Sequence, residues 1–269
     1  MMATTGRDRR MSASDAPAKA APVPRAAISL GGLVALWALA SAATDDPSVL
    51  PSPMAVGAIL VEQAESGALW RHVSATLARV GAAFALAMGI GTALGVLLGV
   101  RPGIDRWAEP VVTVFLNVPA LVVIVLCYLW IGLNEVAAIV AVSVNKTAMV
   151  IVTMREGART LDRPLAEMAQ VYRLSRWARL RHVVAPQLMP FVMASARNGL
   201  AVIWKIVLIV EFLGRGSGVG FQIHLYFQLF QVGHVLAYAL AFTAVMLAVE
   251  YTMLRPMDVR SRRWREAEV

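Results

Sequence analysis

The chain has 269 residues, 58% hydrophobic and 16% charged, whereas soluble domains average roughly 45–50% apolar and about 25% charged residues. This composition excludes an ordinary soluble protein and favours an integral membrane protein. The net charge is +8, but no nucleic-acid recognition motif accompanies it. Basic residues collect at the cytoplasmic face of membrane proteins, close to anionic lipid, and this explains the charge without a nucleic-acid partner.

Six apolar runs predict an all-α integral membrane protein with about six transmembrane helices, because about 20 residues are needed to cross the hydrocarbon core. The runs cover residues 26–44, 80–100, 110–133, 136–154, 191–213 and 234–254. Pro110, Asn117 and Pro119 interrupt the third run, so its membrane-crossing part is expected to begin near Pro119. The first run is longer than the 7–15 apolar residues of a cleaved signal peptide and is interpreted as a retained helix.

Basic residues predict the orientation of these helices. Nineteen of the 25 Lys and Arg residues fall in the N-terminal tail, the turn 101–106, the loop 155–189 and the C-terminal tail, all on one side of a six-helix arrangement. Both termini are therefore expected in the cytoplasm of a multi-pass inner (plasma) membrane protein. Residues 1–25 are predicted to be a disordered cytoplasmic tail, residues 26–255 the transmembrane domain, and residues 256–269 a basic cytoplasmic tail.

The cytoplasmic loop 155–189 is too long to be a simple connection, and its pattern predicts two short helices. Asp162 and Ser175 are the expected N-caps, Pro164 lies in the first turn, and Pro186 is expected to end the second helix. The first helix has one apolar face, formed by Leu165, Met168, Ala169 and Tyr172; the second has another, formed by Trp177, Leu180 and Val184. These faces either pack on neighbouring helix ends or dock into a groove of a cytoplasmic partner.

Several polar residues stand inside the predicted spans, where they should face protein or water. The candidates for a solute path are Asn145, Lys146, Lys205 and Glu211. Either Lys146 forms a static ion pair with Glu211, or the lysines make a positive lining for an anion. Arg197 is expected near the cytoplasmic boundary, with its side chain extended towards the interface.

Three glycines at four-residue spacing, Gly91, Gly95 and Gly99, share one face of the second predicted span. Such a face permits close helix contact, either within the chain or between subunits.

Enzymatic signatures are missing from the sequence. It contains no G-x-x-x-x-G-K-[ST], H-E-x-x-H or G-x-S-x-G motif, its four histidines lack metal-ligand spacing, and it has one cysteine, Cys127. We therefore expect no catalytic residues, no metal and no cofactor in this chain.

An ordered set of motifs resembles the permeases of ABC importers, in particular those for nitrate, sulfonate, taurine and bicarbonate. The loop resembles the family's EAA loop through Glu167-Met168-Ala169, Leu174-Ser175-Arg176-Trp177 and Val183-Val184-Ala185-Pro186. Further matches are Leu50-Pro51-Ser52-Pro53, Trp130-Ile131-Gly132 with Glu135, Ala196-Arg197, Trp204, Glu211-Phe212-Leu213 and the tail Arg262-Arg263-Trp264-Arg265.

The resemblance implies a type I importer permease that translocates a small anionic solute of the sulfonate, nitrate or organic acid type. It implies three protein partners: two copies of a cytoplasmic ABC ATPase, a substrate-binding protein outside the membrane, and a second copy of the chain. ATP hydrolysis would belong to the ATPase. The residues expected to contact the ATPase are Leu165, Glu167, Met168, Ala169, Tyr172, Ser175 and Trp177. The chain departs from the family pattern at Arg173, where the family has glycine, at Ala185, where it has leucine, and at Lys146 and Lys205, where it is mostly apolar.

Two other classes remain open at this point. A stand-alone secondary transporter would usually contain internal repeats and more spans. A membrane-embedded enzyme would need paired acids or metal ligands within the spans.

Overall fold

The computed structural model describes residues 24–44 and 46–254, and these form eleven α-helices and no strand. The helices are α1 (Pro24–Thr44), α2 (Pro53–Glu65), α3 (Ala68–Val100), α4 (Pro102–Asn117), α5 (Ala120–Ile131), α6 (Glu135–Arg159), α7 (Arg163–Val171), α8 (Arg176–Arg179), α9 (Ala185–Gly214), α10 (Val219–Gln228) and α11 (Val232–Val249). The basic tail 256–269 and nearly all of the predicted N-terminal tail lie outside the described residues.

The chain divides into two compact units, residues 1–53 and 54–269. In the first, the segment after α1 folds back on that helix. The Trp37 indole N–H donates to the Pro51 carbonyl over 3.0 Å, and the Ser41 hydroxyl donates to the Leu50 carbonyl over 2.8 Å. The hydroxyl and the backbone N–H of Ser48 hydrogen-bond Asp46 and hold the pKa of its carboxyl below the ordinary value.

The centre of the second unit is the pair α3 and α6, which run parallel in close contact. Gly91 faces Val150, Gly95 faces Met154 and Gly99 faces Ala158. A Cβ added at Gly95 would lie 2.6 Å from Cβ of Met154 and 2.7 Å from the Ile151 carbonyl oxygen, so only glycine permits this approach. The three-glycine face predicted from sequence therefore packs within the chain.

Helix α9 runs antiparallel to α6. Phe191 packs on Gly157 near the start of α9, and Gly199 lies beside Lys146 further along. The buried core between α5, α6 and α9 consists of small and branched side chains: Ile124, Ala137, Ala138, Ala141, Val142, Ile203 and Val207. Small residues let these helices approach closely, as expected for helices that pack in a membrane.

Among the described residues, three helices are long and apolar enough to cross a membrane: residues Ala68–Val100, Glu135–Arg159 and Val232–Thr252. Helices α4 and α5 together form a fourth apolar segment, bent by 96° at the break that contains Pro119. The break predicted near Pro119 is thus confirmed, whereas Pro110 lies inside α4 and does not interrupt it. Helix α9 has sufficient length at 30 residues but carries Arg197, Lys205 and Glu211.

Helical structure also occurs where none was predicted. Helix α2 lies in the connection after the first predicted span, and α10 lies between α9 and α11. Helix α3 begins at Ala68 rather than Val80, so Arg79 stands inside the helix and not at its end.

Candidate functional site

The loop after α6 contains the two predicted short helices, with the predicted residues at their starts. Asp162 is the N-cap of α7 and Pro164 lies in its first turn. Ser175 is the N-cap of α8, and its hydroxyl accepts the Ala178 N–H over 3.2 Å. The Asp162 side chain makes no capping hydrogen bond; its backbone N–H instead donates to the Gln187 side-chain oxygen over 2.9 Å, which ties the loop to α9.

The apolar face predicted on α7 is divided in the structure. Ala169 has only 2% of its surface exposed, whereas Met168 is 41% and Tyr172 74% exposed, and Leu165 is exposed as well. Ala169 is therefore covered by the chain itself, and the other three residues of this face are accessible to a partner. Trp177, Glu167 and Ser175 are also exposed, so six of the seven predicted contact residues remain accessible.

The turn from α7 to α8 keeps a left-handed residue although glycine is absent. The Arg173 N–H donates to the Gln170 carbonyl and the Leu174 N–H to the Ala169 carbonyl, each over 2.9 Å. This pair of bonds is a Schellman motif with Arg173 at its left-handed position, where φ is 50°. The chain thus tolerates the strain instead of adopting a different turn.

Replacing Arg173 by glycine should relieve that strain. We expect Arg173→Gly to stabilise the α7–α8 turn by about 1 kcal/mol, visible as slower proteolysis or hydrogen exchange of residues 163–180. Arg163→Gly is the matched control, because it removes an exposed arginine at the start of α7. Faster exchange in Arg173→Gly would contradict a strained turn.

Pro186 does not end the second loop helix, contrary to the prediction. Residues Leu180–Val184 form a π-helical turn, and α9 follows without a break from Ala185. In this turn the Ala185 N–H donates to the Leu180 carbonyl, five residues back. A wider turn accommodates a proline that cannot donate a backbone hydrogen bond.

A cluster of four charged side chains connects α3, α6 and α9; we call Arg79, Glu135, Glu211 and Arg215 the Arg79 cluster. The Arg79 guanidinium donates to Glu211 over 2.5 Å and to both oxygens of Glu135 over 2.7 and 2.8 Å. Arg215 also donates to Oε1 of Glu135, over 2.5 Å. Two positive and two negative charges therefore balance one another, which is how buried charges are normally accommodated.

Glu211 also holds the start of α10. Its side chain has no exposed surface, and its second carboxylate oxygen accepts the Thr76 hydroxyl and the Gly220 N–H, each over 2.9 Å. The Thr76 hydroxyl in turn accepts the Val219 N–H over 2.9 Å. A Cβ at Gly218 would overlap the Glu211 carboxylate, and the φ of 111° there also requires glycine. These bonds satisfy N–H groups that the first turn of a helix leaves open.

The ion pair suggested between Lys146 and Glu211 does not exist. Glu211 is bound by Arg79, which lies inside α3 although the apolar run begins only at Val80. Lys146 is only 4% exposed, and its ammonium contacts the Met149 sulfur over 2.8 Å. Lys205 is exposed, with its ammonium 5.5 Å from the centre of the Trp204 ring, and Asn145 is half-buried. The four candidate path residues therefore occupy separate environments.

Metal-ligating groups do not converge within the described part of the chain: no three His, Cys, Asp or Glu side chains there could hold one ion.

Comparison with known proteins identifies the family. Residues 87–265 match the family described as binding-protein-dependent transport system inner membrane component. A putative aliphatic sulfonates transport permease protein of Escherichia coli is 33% identical over 71% of this chain and 73% of its own length. A taurine transport system permease protein of the same species is 26% identical over 88% of this chain and 89% of its own length.

The fold agrees with that match. The structure of an amino acid ABC transporter superposes with a TM-score of 0.56 at 19% identity, covering 76% of this chain and 98% of the other. The glycine contact of α3 with α6, the two loop helices and the Arg79 cluster lie within or just before the matched residues. The chain belongs to the family of binding-protein-dependent transport system inner membrane components.

Proposed function

We propose that this chain is the permease of an importer for a small organic anion of the sulfonate class, coupled to a separate ATPase through residues 163–180. The observation that carries the proposal is the short helix α7, which exposes Leu165, Met168 and Tyr172 on one face while Ala169 anchors it to the chain. An exposed apolar helix face of this kind suits a groove on a partner protein. We name this accessible face, Leu165, Met168 and Tyr172, the α7 face.

The loop is placed to pass movement into the membrane helices. It follows α6 directly, and on its other side it continues through the π-helical turn into α9. The bond from Asp162 to Gln187 ties its two ends together. A partner that draws α7 and α8 towards itself would therefore displace α6 and α9 together.

The proposed complex contains two copies of this permease and two copies of a cytoplasmic ABC ATPase. A substrate-binding protein delivers the solute outside the membrane. When ATP binding brings the two ATPase subunits together, the loops move and the path opens to the outside. ATP hydrolysis then restores the state in which the path opens to the cytoplasm. The chain contributes the path and the coupling surface.

The sulfonate class is supported by the relatives, whose names specify aliphatic sulfonates and taurine. Lys205, which is exposed on α9, adds positive charge that lowers the barrier for an anion that has lost water. Reconstitution with the partner ATPase and binding protein tests the proposal: taurine or an alkanesulfonate should accumulate in an ATP-dependent way. ATP-dependent uptake of a cation only, or uptake without the ATPase, would contradict it.

The proposed topology has six spans with both termini in the cytoplasm, because most basic residues then lie on one side. Reporter domains fused after Thr44, Leu133 and Arg215 should lie outside the cytoplasmic membrane. Fusions after Arg101, Arg173 and the C-terminus should be active inside. An external location of residues 163–180 would contradict both the topology and the coupling surface.

A further inference from the structure

Few buried side chains attach helix α4 to its neighbours. Of its 16 residues only Asp105 and Val112 are buried, and the others are exposed or half-buried in this chain. Val112 belongs to a small apolar cluster with Leu98 of α3 and Ile151 of α6. At its other end α4 is separated from α5 by the bend of 96°. The contacts of Asp105 therefore determine how closely α4 follows the helices beside it.

Asp105 binds two arginines near the end of α6. Nη1 of Arg155 donates to its Oδ1 over 3.1 Å, and Nη2 of Arg159 donates to its Oδ2 over 2.5 Å. Glu156 accepts a further hydrogen bond from Arg159 over 2.9 Å. Two positive charges thus meet two negative charges, and the buried side chains of Asp105 and Arg155 compensate each other. We call these four residues the Asp105 bridge.

The helix ends at which these charges lie make the bridge more favourable. Asp105 stands in the first turn of α4, and Arg159 is the last residue of α6. The helix dipole favours acidic side chains at the start of a helix and basic ones at its end. Hydrogen bonds between a guanidinium and a carboxylate are also among the strongest in proteins. The bridge is therefore a firm connection between α4 and α6, unlike a pair of exposed surface charges.

The bridge lies where the loop towards α7 begins. Arg159 is four residues from Arg163, the first residue of α7. A partner that draws α7 towards itself therefore pulls on Arg159 before it pulls on the rest of α6. From Arg159 the pull has two routes: one along the backbone of α6, and one through Asp105 into α4 and, beyond the bend, into α5.

We propose that Asp105 is a positioning residue for transport, which makes α4 follow the end of α6 when the ATPase moves the loop. The inference rests on the proposed function, which supplies the movement. Without the bridge the loop would still displace α6 and α9, because the backbone joins it to both helices. Helix α4 would keep chiefly the apolar cluster at Val112 as its contact with α6. ATP would then be hydrolysed with less solute transported.

Two variants open the bridge at Arg159 while Arg155 keeps an acceptor. Arg159→Met removes the half-exposed arginine and leaves Asp105 paired with Arg155. Asp105→Asn retains an oxygen for Arg155 but loses the charge that holds Arg159. Arg159→Lys is the conservative variant, since it retains the charge. Glu109→Gln is the matched control, because it removes one negative charge from an exposed position one turn further along α4.

Amide hydrogen exchange shows which segments respond to the nucleotide, measured on the permease–ATPase complex in lipid nanodiscs with and without ATP and vanadate. In the unmodified protein we expect a response both in the loop 160–180 and in residues 102–110 of α4. In Arg159→Met and Asp105→Asn the loop response should persist. The response of residues 102–110 should fall by about tenfold, the effect of one lost hydrogen bond between charged groups. Arg159→Lys and Glu109→Gln should respond like the unmodified protein.

The amount of solute transported per ATP hydrolysed is the second measurement. Taurine is the probe, in proteoliposomes that contain the complex and its binding protein. Arg159→Met and Asp105→Asn should each lower this ratio by about tenfold at an unchanged amount of complex. A merely structural role of Asp105 would instead lower the amount of complex and leave the ratio of the remaining complex unchanged.

Two results would overturn the proposal. If residues 102–110 of Arg159→Met and Asp105→Asn responded to ATP as in the unmodified protein, α4 would follow the loop without the bridge. If their response were lost but the ratio of taurine to ATP stayed the same, the movement of α4 would have no part in transport. A failure of the proposed function is recognised separately, because ATP would then leave the loop 160–180 of the unmodified protein unchanged.

Discussion

Replacement of Arg79 by methionine should remove most of the folded protein from the membrane. The change leaves the Glu211 carboxylate, which has no exposed surface, without its counter-charge, and breaking a buried ion pair in this way typically costs about 3–5 kcal/mol. The Glu211 carboxylate also binds the start of α10, and without Arg79 nothing of opposite charge holds that carboxylate in place. The measurement is the amount of monodisperse protein after detergent extraction, together with its midpoint of thermal unfolding.

The double variant Arg79→Met with Glu211→Gln is the decisive companion. It removes both charges while the amide can still accept from Thr76 and Gly220, so it should recover much of the lost protein. Arg215→Met is the matched single control: its partner Glu135 is 49% exposed and keeps both hydrogen bonds from Arg79, so no buried carboxylate loses its counter-charge and a smaller loss is expected. If Arg215→Met lowered the amount of folded protein and the unfolding midpoint as much as Arg79→Met, the burial of Glu211 would not explain the loss. Adding Lys146→Met to Arg79→Met should not restore the amount of folded protein, because Lys146 contacts Met149 and not Glu211.

A carboxylate placed on the α7 face should disconnect the ATPase while the permease remains folded. Met168→Asp would bury an unpaired charge in the partner groove at a cost of about 3 kcal/mol or more, equivalent to a loss of about 100-fold in affinity. We expect transport and co-purification of the ATPase to be lost at normal permease levels. Since Ala169 is covered by the chain, Ala169→Asp would disturb the loop itself and does not test docking.

Gln170→Asp provides the control for the α7 face. Gln170 is exposed on the opposite side of α7, so the same charge there should leave the ATPase bound. Normal uptake by Met168→Asp, or equal loss in both variants, would show that the α7 face is not the docking surface.

Local signals predicted local structure well. The cap at Ser175, the start of α7 after Asp162 and the break at Pro119 depend on residues close in sequence, and each is found in the structure. Only the capping bond expected from the Asp162 side chain is absent. Helix α10 was missed because its first N–H groups are satisfied by Thr76 and Glu211. These partners are distant in sequence or belong to another helix, so no local pattern reveals them.

The candidate site was less predictable for the same reason. The apolar run begins only at Val80, so hydropathy does not reveal that Arg79 lies inside α3 and can reach Glu211. The pair of Lys146 with Glu211 was one of two alternatives that the sequence left open. The partners Arg79 and Glu211 are 132 positions apart. The spacing of apolar residues in α7 places four of them on one side of the helix. Periodicity does not show which of these residues the rest of the chain buries, and in the structure Ala169 is buried.

The close glycine contact between α3 and α6 has a mechanical consequence. The glycine face of α3 lies directly against the backbone of α6 and the Cβ atoms of Val150, Met154 and Ala158, so the two helices cannot slide past one another without first separating. They should move as a single rigid rod, about 37 Å long over the 25 residues of α6. A tilt imposed at Arg159 by the loop therefore reaches Glu135 at the opposite end undiminished, with Arg79 travelling on the same rod.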